Sequence, residues 1–410
     1  MKKLLCALTL LVLACALVTS CLGESPALSQ IGEAFWEVGP YTSLEEDFVD
    51  EYFAQTNDNW GGGCSAISAV IEGRRLVGRN MDLNISNKCA YVVRTQVPGK
   101  YETLGLAYTF RSVSPDEEEL KVSGLGETFE KILPFMCDDV LNSEGLHIEI
   151  NMRHGEQDQE GNDLFGVEHT NPDAAQRVYV FTLGQYIALN CRNLTEAREY
   201  LAREVDVYSQ KNYWNYAYIL TDGEGNSALL EFGNGTYYWT EPGEDGIIAQ
   251  TNFYINEECR AREAILTGLG RYDALLEGIQ TVTTKADLFA LMKKVQFSSY
   301  YLPYQECKEN HFDPRSEVIG EENDLGLDLT YEFVMDPENE ELISYALTAQ
   351  AEYLLSLTRQ EKQDANYYWE STFTEIVDPA ERVIEVRLFE DDTRLYRITF
   401  EGVEEIAEIQ

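Results

Sequence analysis

At 410 residues, 44% of them hydrophobic, the chain is long enough to bury a sizeable core and falls among globular sequences. A formal net charge of −41, from 31 basic and 72 acidic residues, argues against nucleic acid and anionic membrane surfaces as partners, because both need basic patches. Nine scattered cysteines with no CxxC pair offer neither a disulfide framework nor zinc-ligand spacing.

Lys2 and Lys3 precede an apolar run from Leu4 to Val18, followed by Thr19-Ser20-Cys21. Residues 1–20 read as a secretory signal, too short and wrongly flanked for a membrane-spanning helix. Val18-Thr19-Ser20-Cys21 resembles a bacterial lipobox, in which Cys21 is lipidated and becomes the mature N-terminus; Cys15 would truncate the apolar region. An ordinary signal peptide with cleavage nearby is the alternative. Residues 22–63 read as an acidic propeptide. Its aromatics (Phe35, Trp36, Tyr41, Phe48, Tyr52, Phe53 and Trp60) predict that it packs rather than dangles.

Gly61-Gly62-Gly63 then runs into Cys64 and the strand-like Ser65-Ala66-Ile67-Ser68-Ala69-Val70-Ile71. After the turn-like Glu72-Gly73-Arg74, a second apolar run reaches Gly78-Arg79-Asn80-Met81-Asp82. A cysteine in this position suits exposure as a new N-terminus by cleavage after Gly63. Its α-amine, titrating near pH 8, would then be the base for its own thiol. Read alone, the tetrapeptide favours a glycine linker before a buried strand cysteine, since free cysteines are often simply buried. A turn centred on Gly73 sets Cys64 opposite Asp82, so that the carboxylate orients the amine. It also puts Arg79 on the other face, to be recruited only by a bend at Gly78, where its charge would lower the thiol pKa.

Beyond the hairpin, helices are expected near 126–139, 194–206, 284–295 and 338–360. Strands are expected near 146–152, 177–183, 215–222, 226–232, 246–252, 368–377, 383–389 and 394–400. Residues 300–336 read as loop, with Tyr300, Tyr301, Tyr304 and Phe312 as cover for a core or the lining of an acyl pocket. Strand runs separated by helix pairs suggest an α+β layered fold. His147, His154, His169 and His311 have no metal-like or Cys–His context, which leaves the α-amine of Cys64 as the economical base. No Walker or Rossmann glycine pattern is present and no cofactor is expected.

The stretch from Cys64-Ser-Ala-Ile to Gly78-Arg79-Asn80-Met81-Asp82 resembles the N-terminal signature of the choloylglycine hydrolases. These are linear-amide C–N hydrolases of the N-terminal-nucleophile superfamily, among them bile-salt hydrolases and penicillin V acylases. Leu141-Asn142-Ser143-Glu144-Gly145-Leu146 is similar to that family's Asn-Glu-x-Gly-Leu stretch, with Ser143 and Glu144 out of the usual order. Tyr218–Glu231 is similar to its central hairpin, and Gln250-Thr251-Asn252-Phe253 to its Thr-Asn motif.

The resemblance implies an αββα four-layer sandwich spanning 64–410 and amide hydrolysis by Cys64 through a thioester. It further implies that Asn252 donates to the developing oxyanion, with Asn151 as a second candidate donor whose spacing is one residue off. For a downstream arginine, Arg260, Arg262 and Arg271 compete, and Arg271-Tyr272-x-x-Leu275 fits the pattern best. The expected partner is a small N-acyl amide with an apolar acyl group, such as a conjugated bile salt, penicillin V or an N-acyl amino acid. An acyltransferase and a non-catalytic surface lipoprotein are the alternatives. The expected place is outside the cell, at the membrane only through a lipid on Cys21; homo-oligomerisation is left open.

Overall fold

The computed structural model describes residues 26–32, 34–55, 62–84, 89–108, 115, 117–153, 169–209, 215–261, 268–296, 331–335, 342–347, 369–388 and 394–409. The signal with Cys21, Arg262, His154, His311, Cys307 and most of 297–368 lie outside them. Two large sheets carry the fold. The nine-stranded sheet runs in the order Leu28–Gly32, Phe35–Tyr41, Ala90–Thr95, Thr103–Tyr108, Asp139–Asn142, His147–Arg153, Asn215–Thr221, Ser227–Gly233 and Thr236–Thr240. The seven-stranded sheet runs Ile248–Gln250, Gly62–Ile71, Arg74–Asn84, Trp369–Asp378, Val383–Leu388, Leu395–Thr399 and Gly402–Ile406.

Within these two sheets the pairings are antiparallel except that Phe35–Tyr41 runs parallel to Ala90–Thr95, and a separate two-stranded sheet pairs Gln176–Tyr179 with Val205–Tyr208 in parallel. Strand 62–71 packs against strands 147–153 and 215–221 of the other sheet, and Cys64, Met81 and Phe373 share one core cluster with Leu141 and Tyr218. Helix Leu183–Asn190 packs on strands 139–142 and 147–153, and helix Lys285–Lys294 packs on strands 74–84 and 369–378.

Local chemistry explains several of these elements. Helix 285–294 starts at a capping box in which the Thr284 side chain accepts from the Asp287 amide and Asp287 reaches back to the Thr284 amide. Lys293 and Lys294 close it where the helix dipole favours cations. Asn142 ties a turn to a helix. Its Oδ1 accepts from the amides of Glu144 and Leu146, while its Nδ2 donates to the carbonyls of Ala188 and Cys191. Gly145 in that turn has φ +88°, and a Cβ there would lie 2.6 Å from the Pro379 carbonyl. The motif that resembles Asn-Glu-x-Gly-Leu is therefore a structural turn in this chain.

Four expectations need correction. The region read as loop over 300–336 ends in the strand Tyr331–Met335, and the helix expected over 126–139 ends at Ile132 in a 3-10 turn before the strand Asp139–Asn142. The helix expected over 338–360 is, where described, the strand Leu342–Leu347 paired with Tyr331–Met335. The strand expected over 177–183 stops at Tyr179 and gives way to a 3-10 turn and helix 183–190. That helix is buried from Leu183 to Leu189, so it carries no polar stripe from which to read a helical period.

The segment before Cys64 packs, as its aromatics predicted. Phe35 and Val38 are fully buried, the Phe35 ring lies 4.9 Å from that of Tyr396, and the Phe53 ring stacks 5.7 Å from that of Tyr179. In a Cys64→Ala background, where the expected cleavage cannot occur, Phe35→Ala is expected to cost about 3–5 kcal/mol in urea unfolding. A loss below about 1 kcal/mol would mean that the segment is cover rather than core.

Candidate active site

The hairpin turns through Glu72 and Gly73, with φ of +53° and +78°. A two-residue turn with both φ positive is the kind that matches the twist of paired strands. It shifts the register by one from the expected pairing: Cys64 faces Met81, Gly63 faces Asp82 and Ala66 faces Arg79. Arg79 thus shares a face with Met81 and Cys64, and no bend at Gly78 is needed to bring it to the sulfur. Gly78 serves packing instead, since a Cβ there would sit 2.8 Å from Met292 Cγ of helix 285–294.

Cys64 is held from both sides of its strand. Its Sγ is 3.4 Å from Met81 Sδ and 3.8 Å from Arg79 Nη2, and it receives a hydrogen bond from the Met152 amide of the facing sheet. Its main-chain nitrogen donates to Asn252 Oδ1 at 3.2 Å, and its carbonyl accepts from Arg271 Nη1 at 2.5 Å. Arg271 also donates to Ser65 Oγ at 2.9 Å and to Asn252 Oδ1 at 2.7 Å, with Asp82 Oδ2 at 3.5 Å. Cys64, Arg79, Asp82, Asn252 and Arg271 therefore come together, all nearly or fully buried.

Two sequence features deliver Arg271. Helix Leu269–Gly278 starts from Gly268 at φ +83°, where a Cβ would lie 2.7 Å from Thr251 Oγ1 and 3.0 Å from Arg271 Nη2. Thr251 Oγ1 in turn donates to the Gly268 carbonyl at 3.0 Å, so the residue before Asn252 anchors the helix that carries Arg271. Gly268 escaped the sequence reading, although a glycine three residues before the best-placed arginine was a usable signal. Of the competing arginines, Arg260 lies over the Phe253 ring at 4.9 Å instead.

Asn252 differs from the oxyanion donor that the resemblance implies. Its Nδ2 donates to the Met152 carbonyl at 2.7 Å, which leaves its Oδ1 to hold the Cys64 nitrogen. Asn151 is one step removed. Its Nδ2 donates to Glu149 Oε1 at 3.1 Å, and Glu149 Oε2 is 3.1 Å from Arg79 Nε. Asp222 and Gly225 of the hairpin motif are structural: Asp222 Oδ1 accepts from the amides of Glu224 and Asn226.

Arg79 is the hub of a buried polar layer between the sheets. It pairs with Asp139 and Glu149 and donates to the Ile150 carbonyl, and its guanidinium lies 5.5 Å from the centroid of the Phe373 ring. Burial alone would lower its pKa, but Cys64 and the carboxyls of Glu149, Asp138 and Glu375 together hold it above the usual guanidinium value. Burial pushes Asp138, Glu149 and Glu375 each up to about 8, against the pull of Arg79. The nucleophile candidate departs from the expected lowered thiol. Burial pushes Cys64 up to about 11, with Asp82 and Glu149 adding to the rise, and Arg79 and the Met152 amide only partly offset it. In the uncut chain the thiol is therefore protonated at neutral pH. The five described cysteines (Cys64, Cys89, Cys137, Cys191 and Cys259) form no disulfide.

Comparison with known proteins gives a likeness of fold. No protein-family model matches the chain, and no curated protein matches it. Among solved structures it is similar to a conjugated bile acid hydrolase from Clostridium perfringens, at 10% identity and a TM-score of 0.40 over 84% of this chain and 97% of that one. A variant of the same hydrolase gives 10% identity and 0.38 over 85% and 97%. A penicillin V acylase from Agrobacterium tumefaciens gives 12% and 0.38 over 82% and 86%. The sheets and helices described above make the chain a mixed α/β protein. Its chemistry rests on the side chains above and not on these weak superpositions.

Because Arg79 lowers the Cys64 pKa, Arg79→Leu is expected to move alkylation of Cys64 by iodoacetamide to higher pH, while Arg79→Lys keeps the profile nearer wild type. The Leu variant should also lose about 3–5 kcal/mol in unfolding, since Asp139 and Glu149 lose their partner. An alkylation profile that does not move in the Leu variant would make Arg79 purely structural.

Proposed function

We propose that this chain is an exported amide hydrolase in which Cys64, freed by cleavage after Gly63, is the nucleophile. The observation that carries the reading is the convergence on one residue of separate holders for its nitrogen, its carbonyl and its sulfur. Asn252 Oδ1 already accepts from the nitrogen that becomes the α-amine. Arg271 fixes the carbonyl, and Arg79 and the Met152 amide face the sulfur. The two facing sheets with helices on strands of each support the αββα sandwich that the resemblance implies.

In this mechanism the α-amine takes the thiol proton and the thiolate attacks the acyl carbonyl. The developing oxyanion is met by backbone N–H groups, joined by Asn252 if its amide leaves Met152. The departing amine takes a proton from the α-ammonium, leaving the acyl group as a thioester on Cys64. Water, deprotonated by the same amine, then releases the acid and regenerates the thiol. Cleavage also lowers the barrier to thiolate formation: an α-ammonium beside the sulfur adds a positive charge where the uncut chain has a neutral amide.

The substrate class is an N-acyl amide with an apolar acyl group. Transfer of the same thioester to an amine is the second reading, because only water access at the thioester separates the two. A ligand-binding surface lipoprotein is disfavoured by the set of Cys64, Arg79, Asp82, Asn252 and Arg271 at one place. A lipid on Cys21 would sit on the segment before the cut. Since strands 28–32 and 35–41 are built into the nine-stranded sheet, that segment would hold the cut enzyme at the membrane without a covalent link.

Intact-mass analysis tests the reading. Wild type is expected to lack the residues before Cys64 in its catalytic chain, and Cys64→Ala to keep them. Incubation with conjugated bile salts, penicillin V and N-acyl amino acids should release free acid from the wild type alone. A chain that stays uncut yet hydrolyses these amides would contradict the proposed nucleophile. Membrane fractions are expected to hold both pieces; catalytic chain found only in the medium would argue against the anchor.

A further inference from the structure

The acidic layer around Arg79 contains a group of side chains that the Cys64 chemistry leaves unused. Asp139 sits on strand 139–142 and His147 on the neighbouring strand 147–153, while Glu375 comes from strand 369–378 of the opposite sheet. One ligand atom of each lies within 4.8 Å of the others, and all three residues are 0% exposed. His147 Nε2 is 3.3 Å from Asp139 Oδ1.

The hydrogen-bond accounting at this point is incomplete. Asp139 gives one oxygen to Arg79, but its Oδ1 has no hydrogen-bond partner. Neither ring nitrogen of His147 has one, and neither carboxylate oxygen of Glu375 has one. Buried polar groups in folded proteins are nearly always satisfied, and one left unsatisfied bears its full desolvation penalty, larger still when it is charged. Five such atoms in one interior patch therefore call for an unseen partner. A hydrogen-bonded pair would satisfy two of them; a cation at their centre satisfies one on each residue at once.

We propose that Asp139, His147 and Glu375 bind a divalent transition-metal ion, zinc by their donor set, which ties the two sheets together behind Arg79. Two carboxylates and one imidazole are donors of kinds that zinc accepts, with a water completing the tetrahedron. They are too few oxygens for calcium, which takes six to eight. Ligands on one zinc ion stand about 2.0–2.2 Å from it, so their mutual spacing of roughly 3–4 Å is reached by a small closure of the three side chains. Asp139 acts as the bridge, with one oxygen on Arg79 and the other on the ion. The sequence carries no trace of this site because its ligands belong to three strands, two of them in one sheet and one in the other. The inference stands apart from the nucleophile reading: the site would hold its ion whether or not Cys64 is cut free.

The test is elemental analysis of protein purified without a metal-affinity step and dialysed against metal-free buffer, followed by reloading with Zn²⁺ or Co²⁺ alone. One zinc ion per chain is expected in wild type and in Cys64→Ala, with visible d–d bands for the cobalt form that lack a thiolate charge-transfer band. Glu375→Gln and Asp139→Asn are expected to lose the ion. Chelation should lower the melting temperature of wild type and leave the Glu375→Gln variant unmoved. Folded wild type that retains no metal and takes up neither Zn²⁺ nor Co²⁺ would overturn the proposal, leaving the carboxyls neutralised by protons. Metal retained by Glu375→Gln, or lost in Cys64→Ala, would overturn it equally by placing the ion elsewhere.

Discussion

Everything at the site depends on one guanidinium buried between two sheets. Arg79 leaves the seven-stranded sheet and makes its partners, Asp139, Glu149 and the Ile150 carbonyl, on the nine-stranded one. What remains of its donor fork faces Cys64 Sγ. A buried ion pair is poor evidence for net stability, because desolvation offsets the attraction. Its worth here is positional: an uncompensated guanidinium could not stay in this interior, so the acids of one sheet hold a positive charge beside a sulfur of the other.

The two faces of strand 62–71 divide the work. Toward the facing sheet lie the sulfur of Cys64, Met81 and Arg79. Its main chain is held by Asn252 and by Arg271, which also contacts Ser65 and Asp82. The nitrogen is thus oriented independently of the thiol, as a residue acting as both base and nucleophile requires. That the thiol is pushed up to about 11 in the uncut chain is consistent with a precursor whose reactivity is held back by burial until the α-amine is made.

What could be read from the sequence follows the local rules. The hairpin was legible from three glycines, two apolar runs and a glycine turn; helix 285–294 from the helical spacing of its apolar residues. The register was not legible, because it depended on Glu72 adopting a positive φ, which few non-glycine residues do. That single step decided whether Arg79 or Asp82 shares a face with the sulfur. Helix 183–190 and the fully buried strands 90–95 and 103–108 lacked a polar face and therefore a period. Cys64, Arg79 and Asp82 stood out from the hairpin itself, whereas Asn252 and Arg271 came only through a resemblance to known motifs, and spacing alone would have left Asn252 a turn residue. His147 read as an ordinary core or surface histidine; only sheet topology places it beside Asp139 and Glu375.

The account turns on Cys64 carrying the acyl group, and direct capture of that intermediate tests it most closely. Wild-type protein mixed with an N-acyl amide, quenched in acid within the first turnovers and digested, would be mapped by mass. The account predicts a peptide beginning at Cys64 with a free α-amine and heavier by the acyl group on sulfur, with the added mass lost to hydroxylamine. Turnover accompanied by an acyl group on any other residue, or by a Cys64 still joined to Gly63, would contradict it.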